Sequence, residues 1–169
     1  MTLPEQSAII LDALDHNFVQ SEHVIRWADE LIATTPQPPP YWLIELSTLP
    51  KLYKEDVAAL LRQHAKLPIP LRQRIELVAL AWDSHKISLN AVFPLLFKIT
   101  ILDRLDSMDT KLQIIDETLH DVLVEWDSQE DLDVIDLRAA ARMEALLRNY
   151  ASGAYAITQF INLGGASNK

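Results

Sequence analysis

Glycine is almost missing from this chain. Of 169 residues only three are glycine, and two of them are the pair Gly164-Gly165 near the end. Tight hairpin turns rely on residues that accept a positive φ, glycine above all, so a meander of short strands has no turns to build with. Nine prolines punctuate the chain instead. Between them apolar residues recur at the 3.6-residue spacing of amphipathic helices rather than in strict alternation. These features predict an all-α fold of about eight helices.

The periodicity predicts a first helix over Glu5 to Asp15, with Ile9, Ile10 and Leu14 inward. A second follows to about Thr34, with Ser21 as its N-cap and Val24, Ile25, Ala28, Leu31 and Ile32 on one face. The run Pro36-Gln37-Pro38-Pro39-Pro40 then breaks the chain, because consecutive prolines cannot continue a helix. Tyr41 to Ser47 reads as a short buried helix, apolar on nearly all sides. Lys54 to Lys66 is amphipathic through Val57, Leu60 and Leu61, and Leu67-Pro68-Ile69-Pro70 ends it. Leu71 to Lys86 presents Ile75, Val78, Ala79 and Trp82 on one face. Ser88 caps the next stretch, Leu89 to Leu102, which is apolar all round as a central helix would be. Pro94 inside it predicts a kink or a fresh start. Asp109 to Trp126 carries its stripe on Leu112, Ile115, Leu119, Val122, Leu123 and Trp126. Gln129 to about Ser152 carries Leu132, Ile135, Ala139, Met143, Leu146 and Tyr150, and Ala154 to Leu163 is a short final helix.

A chain of this length is expected to form one domain, residues 1–163, followed by a flexible tail at 164–169. An irregular bundle and a stack of antiparallel helix pairs both fit the short connections. No repeat of fixed period shows in the residues. Zero cysteines exclude disulfides, thiolate catalysis and Cys-based zinc sites. The N-terminus lacks a basic and an apolar leader region, and the longest apolar run, Ala91 to Leu102, is too short to span a bilayer. A cytoplasmic location is expected.

Charge is distributed unevenly. Residues 103–136 hold twelve Asp or Glu against Arg104 and Lys111, a sum of −10, while the remainder holds thirteen bases and twelve acids, a sum of +1. Such a field disfavours nucleic-acid phosphates and anionic membranes and favours a basic protein partner. Part of the cluster has a structural account. Asp106, Asp109, Glu130, Asp131 and Asp133 fall near predicted helix starts, where acids complement the helix dipole. Glu117, Asp121 and Glu125 have no such account. They sit at i, i+4 and i+8 in mid-helix, opposite the apolar stripe, where like charges cost about 0.2–0.5 kcal/mol per pair. The alternatives are a solvated face that tolerates repulsion and a docking ridge; with Asp116 these residues are the candidate partner-binding set.

No motif specifies a reaction, so no catalytic residue, metal or cofactor is assigned. Glu117 and His120 form one Glu-x-x-His, whereas carboxylate-bridged metal sites in helical bundles use two such pairs plus further glutamates. Asp103, Asp106 and Asp109 lack the alternation and the glycine of a calcium loop, as do Asp131, Asp133 and Asp136. His16, His23, His64, His85 and His120 share no metal-ligand spacing and read as surface or capping residues; His16 and His23 are a pair that folding could bring together. There is no nucleophile elbow and no glycine-rich phosphate loop. The four tryptophans lie on apolar faces and read as core. Trp42, with Tyr41 beside it after the proline run, is also a candidate interface anchor.

Trp27-Ala28-Asp29, followed by Pro39-Pro40-Tyr41-Trp42-Leu43-Ile44-Glu45-Leu46-Ser47, resembles small uncharacterised bacterial helical proteins, some of which resemble immunity proteins of polymorphic toxin systems. The resemblance covers about 25 residues and carries no catalytic motif. It implies a non-enzymatic interaction module, in its sharper form a toxin-neutralising protein that meets a basic partner with its acidic helix. Two alternatives stand beside it: a helical enzyme or small-ligand-binding domain with its site among the aromatic-rich helices, and a structural homo-oligomer using Tyr41 and Trp42.

Overall fold

The computed structural model describes residues 1–50, 53–106, 121, 123, 137–161 and 163. Among them every regular element is a helix and no strand occurs, as the proline punctuation and periodicity predict. The chain divides into two compact units. The first comprises Met1–Ile69 and Tyr155–Gly164, and the second is built on Pro70–Ala154.

The first unit contains α1 (Leu3–Asp15), α2 (Ser21–Thr34), α3 (Tyr41–Thr48), α4 (Lys54–His64) and the single turn α8 (Tyr155–Thr158). α1 packs on α4 and α2 packs on α3. Pro4 in the first turn suits a helix start, since its missing N–H would have no intrahelical partner there. The Thr2 backbone N–H donates to the Glu5 carboxylate at 3.0 Å, and the Lys66 ammonium holds the same carboxylate at 2.8 Å. α1 is buried on most of its surface: Ser7 to Leu11, Ala13 and Leu14 are all inside. Burying side chains such as Ile9 and Leu14 stabilises by about 1.5–3 kcal/mol each. The buried Ser7 hydroxyl is satisfied by donating to the Leu3 carbonyl at 2.9 Å. α4 carries Glu55 and Asp56 in its first turn and Arg62 and His64 in its last, the charge order that a helix dipole favours.

α2 begins one residue earlier in its capping than the sequence suggests. Gln20 holds the cap position and Ser21 is the first helical residue, buried. α3 departs further from expectation. Only Leu43 and Leu46 are buried, while Tyr41 is 79 % and Ile44 42 % exposed. The two pairs lie on opposite faces of an eight-residue helix that rests on its neighbours by one side.

The second unit contains α5 (Leu71–Asp83), α6 (Leu89–Asp106) and α7 (Leu137–Gly153), with α6 and α7 both packed on α5. The helix buried nearly all round is α5, where Leu71 and Ile75 to Ala81 are inside. α6, expected in that role, buries Val92, Phe93, Leu96, Ile99 and Thr100 but exposes Asn90, Ala91, Pro94 and Lys98. It continues as one helix through Pro94. Proline removes the bond its N–H would make to residue 90, and because Asn90 and Pro94 both face outward, water can satisfy that carbonyl. α7 buries Ala139, Met143, Leu146 and Leu147 at helical spacing. Glu76 is buried, and the Arg72 guanidinium donates to its carboxylate from one turn back at 2.9 Å.

The two units share a local design that residue identity hides. After α1 the Asn17 N–H bonds the Leu14 carbonyl, the Phe18 N–H bonds the Ala13 carbonyl, and Asn17 has φ 59°. After α5 the His85 N–H bonds the Trp82 carbonyl, the Lys86 N–H bonds the Ala81 carbonyl, and His85 has φ 56°. Both are Schellman endings, in which a left-handed residue turns the chain and satisfies the last carbonyls. The correspondence is Ala13 with Ala81, Asp15 with Asp83, Asn17 with His85 and Val24 with Val92, all at one constant offset. The buried positions largely coincide at that offset too, as in Ile9 and Leu77, Ile10 and Val78, and Ile25 and Phe93. Each unit thus opens with the same buried helix, left-handed turn and second helix.

Among the described residues no helix is long and apolar enough to cross a membrane.

Candidate functional sites

A groove, an exposed helix face and the acidic region carry the chemistry that bears on function. The first is a groove of about 180 Å³ in the first unit. Its apolar wall comprises Ile10 of α1, Val19 of the following turn, Val24 of α2, and Phe160 and Ile161 just beyond α8. One face of α2 contributes His23, Arg26, Trp27 and Glu30, at i, i+3, i+4 and i+7. The Gln20 backbone N–H donates to His23 Nδ1 at 3.3 Å, which makes His23 a capping residue of α2 and leaves its hydrogen on Nε2. Trp27 is 5 % exposed, and its buried indole Nε1 has no hydrogen-bond acceptor. Buried donors in native proteins nearly always have one, so this atom stands out. No ion pair joins Arg26 to Glu30 although they are four residues apart.

The second is the outward face of α3. Trp42 is half-buried and stacks on His64 of α4, with ring centroids 4.6 Å apart and planes 12° from parallel. Tyr41 projects beside it into solvent. The Ser47 hydroxyl donates to the Asp29 carboxylate at 2.6 Å and ties α3 to α2. The segments Trp27–Asp29 and Pro39–Ser47 are therefore joined in space, and six of their residues do structural work. Trp27, Ala28, Leu43 and Leu46 are core, and Asp29 and Ser47 fasten one helix to the other.

The third is the acidic region. Asp121 is helical and exposed, and Leu123 is helical and buried, 3 % exposed. That is the orientation the amphipathic pattern predicts for these two residues. Asp116, Glu117 and Glu125 lie outside the described residues, as does His120. Among the described residues no three His, Asp or Glu side chains are grouped to hold a metal ion. His16 serves locally: its Nδ1–H donates to the Asp12 carbonyl at 2.8 Å and its ring stacks near Phe18.

His23 and Trp27 stand out in the sequence, but the groove they line does not. The helical spacing of 23, 26, 27 and 30 was readable. The opposite wall, Phe160 and Ile161, comes from the far end of the chain, and no local pattern announces that it returns to α1 and α2.

No protein-family model, curated protein or solved structure matches this chain.

Proposed function

We propose that the protein is a non-enzymatic interaction module that binds a basic protein partner through the acidic helix bearing Glu117, Asp121 and Glu125. The observation that carries this reading is the concentration of charge: −10 within residues 103–136 against +1 in all the rest. A one-signed field of that kind raises the association rate of an oppositely charged partner and repels others. The exposure of Asp121 beside the buried Leu123 fits a ridge turned outward. Tyr41, exposed next to the packed Trp42, is a second candidate contact, since aromatic residues are enriched at interface hot spots. The sharper form of the proposal is a toxin-neutralising immunity protein of a bacterial cytoplasm, the class that the resemblance around Trp27 and Trp42 implies.

The test is capture on immobilised protein at low ionic strength, followed by a salt gradient and identification of what elutes. The proposal expects partners with strongly basic sequences, released as rising salt shortens the Debye length from about 30 Å at 0.01 M to about 10 Å at 0.1 M and below. Retention of only acidic or neutral proteins, or retention insensitive to salt, would contradict it.

A further inference from the structure

We propose that the proline run and the outward face of α3 form one docking surface, independent of the acidic ridge. Its partner is a protein domain with an aromatic-walled groove that reads polyproline II and an adjoining pocket that takes a tyrosine. The conformation of the segment follows from its residues. A proline ring fixes φ at about −65°, and a residue that precedes proline is held extended. Gln37, Pro38 and Pro39 each precede a proline, so all three are held in this way. Pro40 has φ −61° and ψ 145°, the values of polyproline II. Its carbonyl accepts from the Leu43 N–H at 3.0 Å, and α3 starts there. The extended segment therefore leads directly into the helix.

The fold turns this surface to solvent. Pro36, Gln37, Pro38 and Pro40 are exposed, and Tyr41 is 79 % exposed. Polyproline II makes a turn every three residues, so Pro38 and Tyr41 share one edge, about 9 Å apart. α3 extends the surface with Ile44 and Glu45, exposed at i+3 and i+4 from Tyr41. The side beneath is fastened. Leu43 and Leu46 are buried, Trp42 stacks on His64, and the Ser47 hydroxyl donates to Asp29. Trp42 is thus used by the fold, whereas the Tyr41 ring projects outward. Proline has no N–H, so the segment offers flat rings and carbonyl acceptors, already ordered. Aromatic-lined grooves grip such segments with little entropy left to lose. Charge defines the rest of the partner. Residues 27–50 contain Asp29, Glu30 and Glu45 but no lysine or arginine. A groove whose second pocket is acidic finds no cation here, and a basic rim facing Glu45 is complementary.

A WW domain that binds Pro-Pro-x-Tyr peptides and carries a basic rim serves as the probe, since its groove is of this kind. Pro38-Pro39-Pro40-Tyr41 has that pattern. The ¹⁵N-labelled domain is titrated with the unlabelled full chain. The inference expects the groove signals of the domain to move saturably, with a Kd below about 1 mM. Tyr41→Ala and Pro38→Ala, both at exposed positions, should leave the circular dichroism spectrum unchanged and each weaken binding by about tenfold or more. Glu45→Lys should weaken it at low salt and reduce its salt dependence. Three results would overturn the inference. One is no saturable movement up to about 1 mM chain. Another is binding by the Tyr41→Ala variant equal to wild type. The third is sedimentation showing that the chain pairs with itself through Tyr41 and that the domain does not displace the pairing, which would assign the face to a second copy.

Discussion

The paired left-handed turns allow one perturbation to be worked at two equivalent places with opposite expected signs. Asn17 and His85 hold the same position in the same Schellman ending, at φ 59° and 56°. A left-handed conformation costs an ordinary L-residue about 1–2 kcal/mol, and asparagine much less, because its short side chain bonds locally. Glycine removes that cost but adds freedom to the unfolded chain, a loss of about 0.4–1 kcal/mol. For the exposed His85 the first effect wins, and His85→Gly should stabilise by about 0.5–1 kcal/mol. For Asn17 the relief is small, and its side-chain oxygen accepts a 2.8 Å bond from Lys54 on α4. Losing that bond costs about 0.5–1 kcal/mol, so Asn17→Gly should be neutral to destabilising by about 1 kcal/mol. Urea unfolding of wild type and both variants reads the difference as a displaced midpoint at unchanged slope. In thermal melts 1 kcal/mol corresponds to about 2–4 °C for a chain of this size. If His85→Gly lowered the midpoint, or both variants moved by the same amount in the same direction, the account of these turns would be wrong.

Acid should loosen the start of α1. The Lys66 ammonium, helped by the Thr2 N–H, holds the Glu5 carboxyl at about 2, well below its usual value of 4.5. A carboxyl depressed in the folded state adds stability that is complete above the unfolded value and fades as pH falls from about 4.5 toward about 2. Glu5→Gln should therefore flatten the acid limb of the stability curve in that window, and an unchanged limb would show that the clamp contributes nothing. On α3 the half-buried Trp42 should matter more than its exposed neighbour. Trp42→Ala is expected to cost about 1.5–3 kcal/mol through lost packing and the His64 stack, below the value for a fully buried tryptophan. Tyr41→Ala should stay within about 0.5 kcal/mol, as surface substitutions do. The reverse order in chemical denaturation would contradict the assigned burial. If copies of the chain associate through this face, Tyr41→Ala should also lower the sedimentation coefficient at high concentration.

Much of the helical content was legible because its causes are local. Proline runs at 36–40 and 67–70 end helices for steric reasons, and the stripes of α2, α4 and α7 follow from the period of a helix. What was not legible depends on neighbours. α6 is more uniformly apolar in sequence than α1 or α5, yet those two are the helices enclosed on most sides, because enclosure is decided by what packs around a helix. Tyr41 looks buried from its apolar neighbours and is exposed because α3 leans on one face only. The recurring turn is hidden in the sequence because one copy uses the expected asparagine and the other a histidine, and only the backbone bonds reveal their equivalence. The groove is partly legible for the same kind of reason: one wall is a face of α2, and the other is a long-range return of the chain.

The proposed function rests on the acidic ridge, and Asp121→Lys tests it most directly. The substitution sets a positive charge four residues in sequence from both Glu117 and Glu125, and the helix that the amphipathic spacing predicts over 109–126 should gain about 0.4–1 kcal/mol through two new i, i+4 pairs. The same change weakens the field a basic partner would follow. With the partner recovered by capture, association rates measured by surface plasmon resonance at several salt concentrations should fall for Asp121→Lys and lose part of their salt dependence, while dissociation changes less. Better stability with slower association is the result predicted. Association identical to wild type at every salt concentration, in a variant that is at least as stable, would mean that the ridge only faces water.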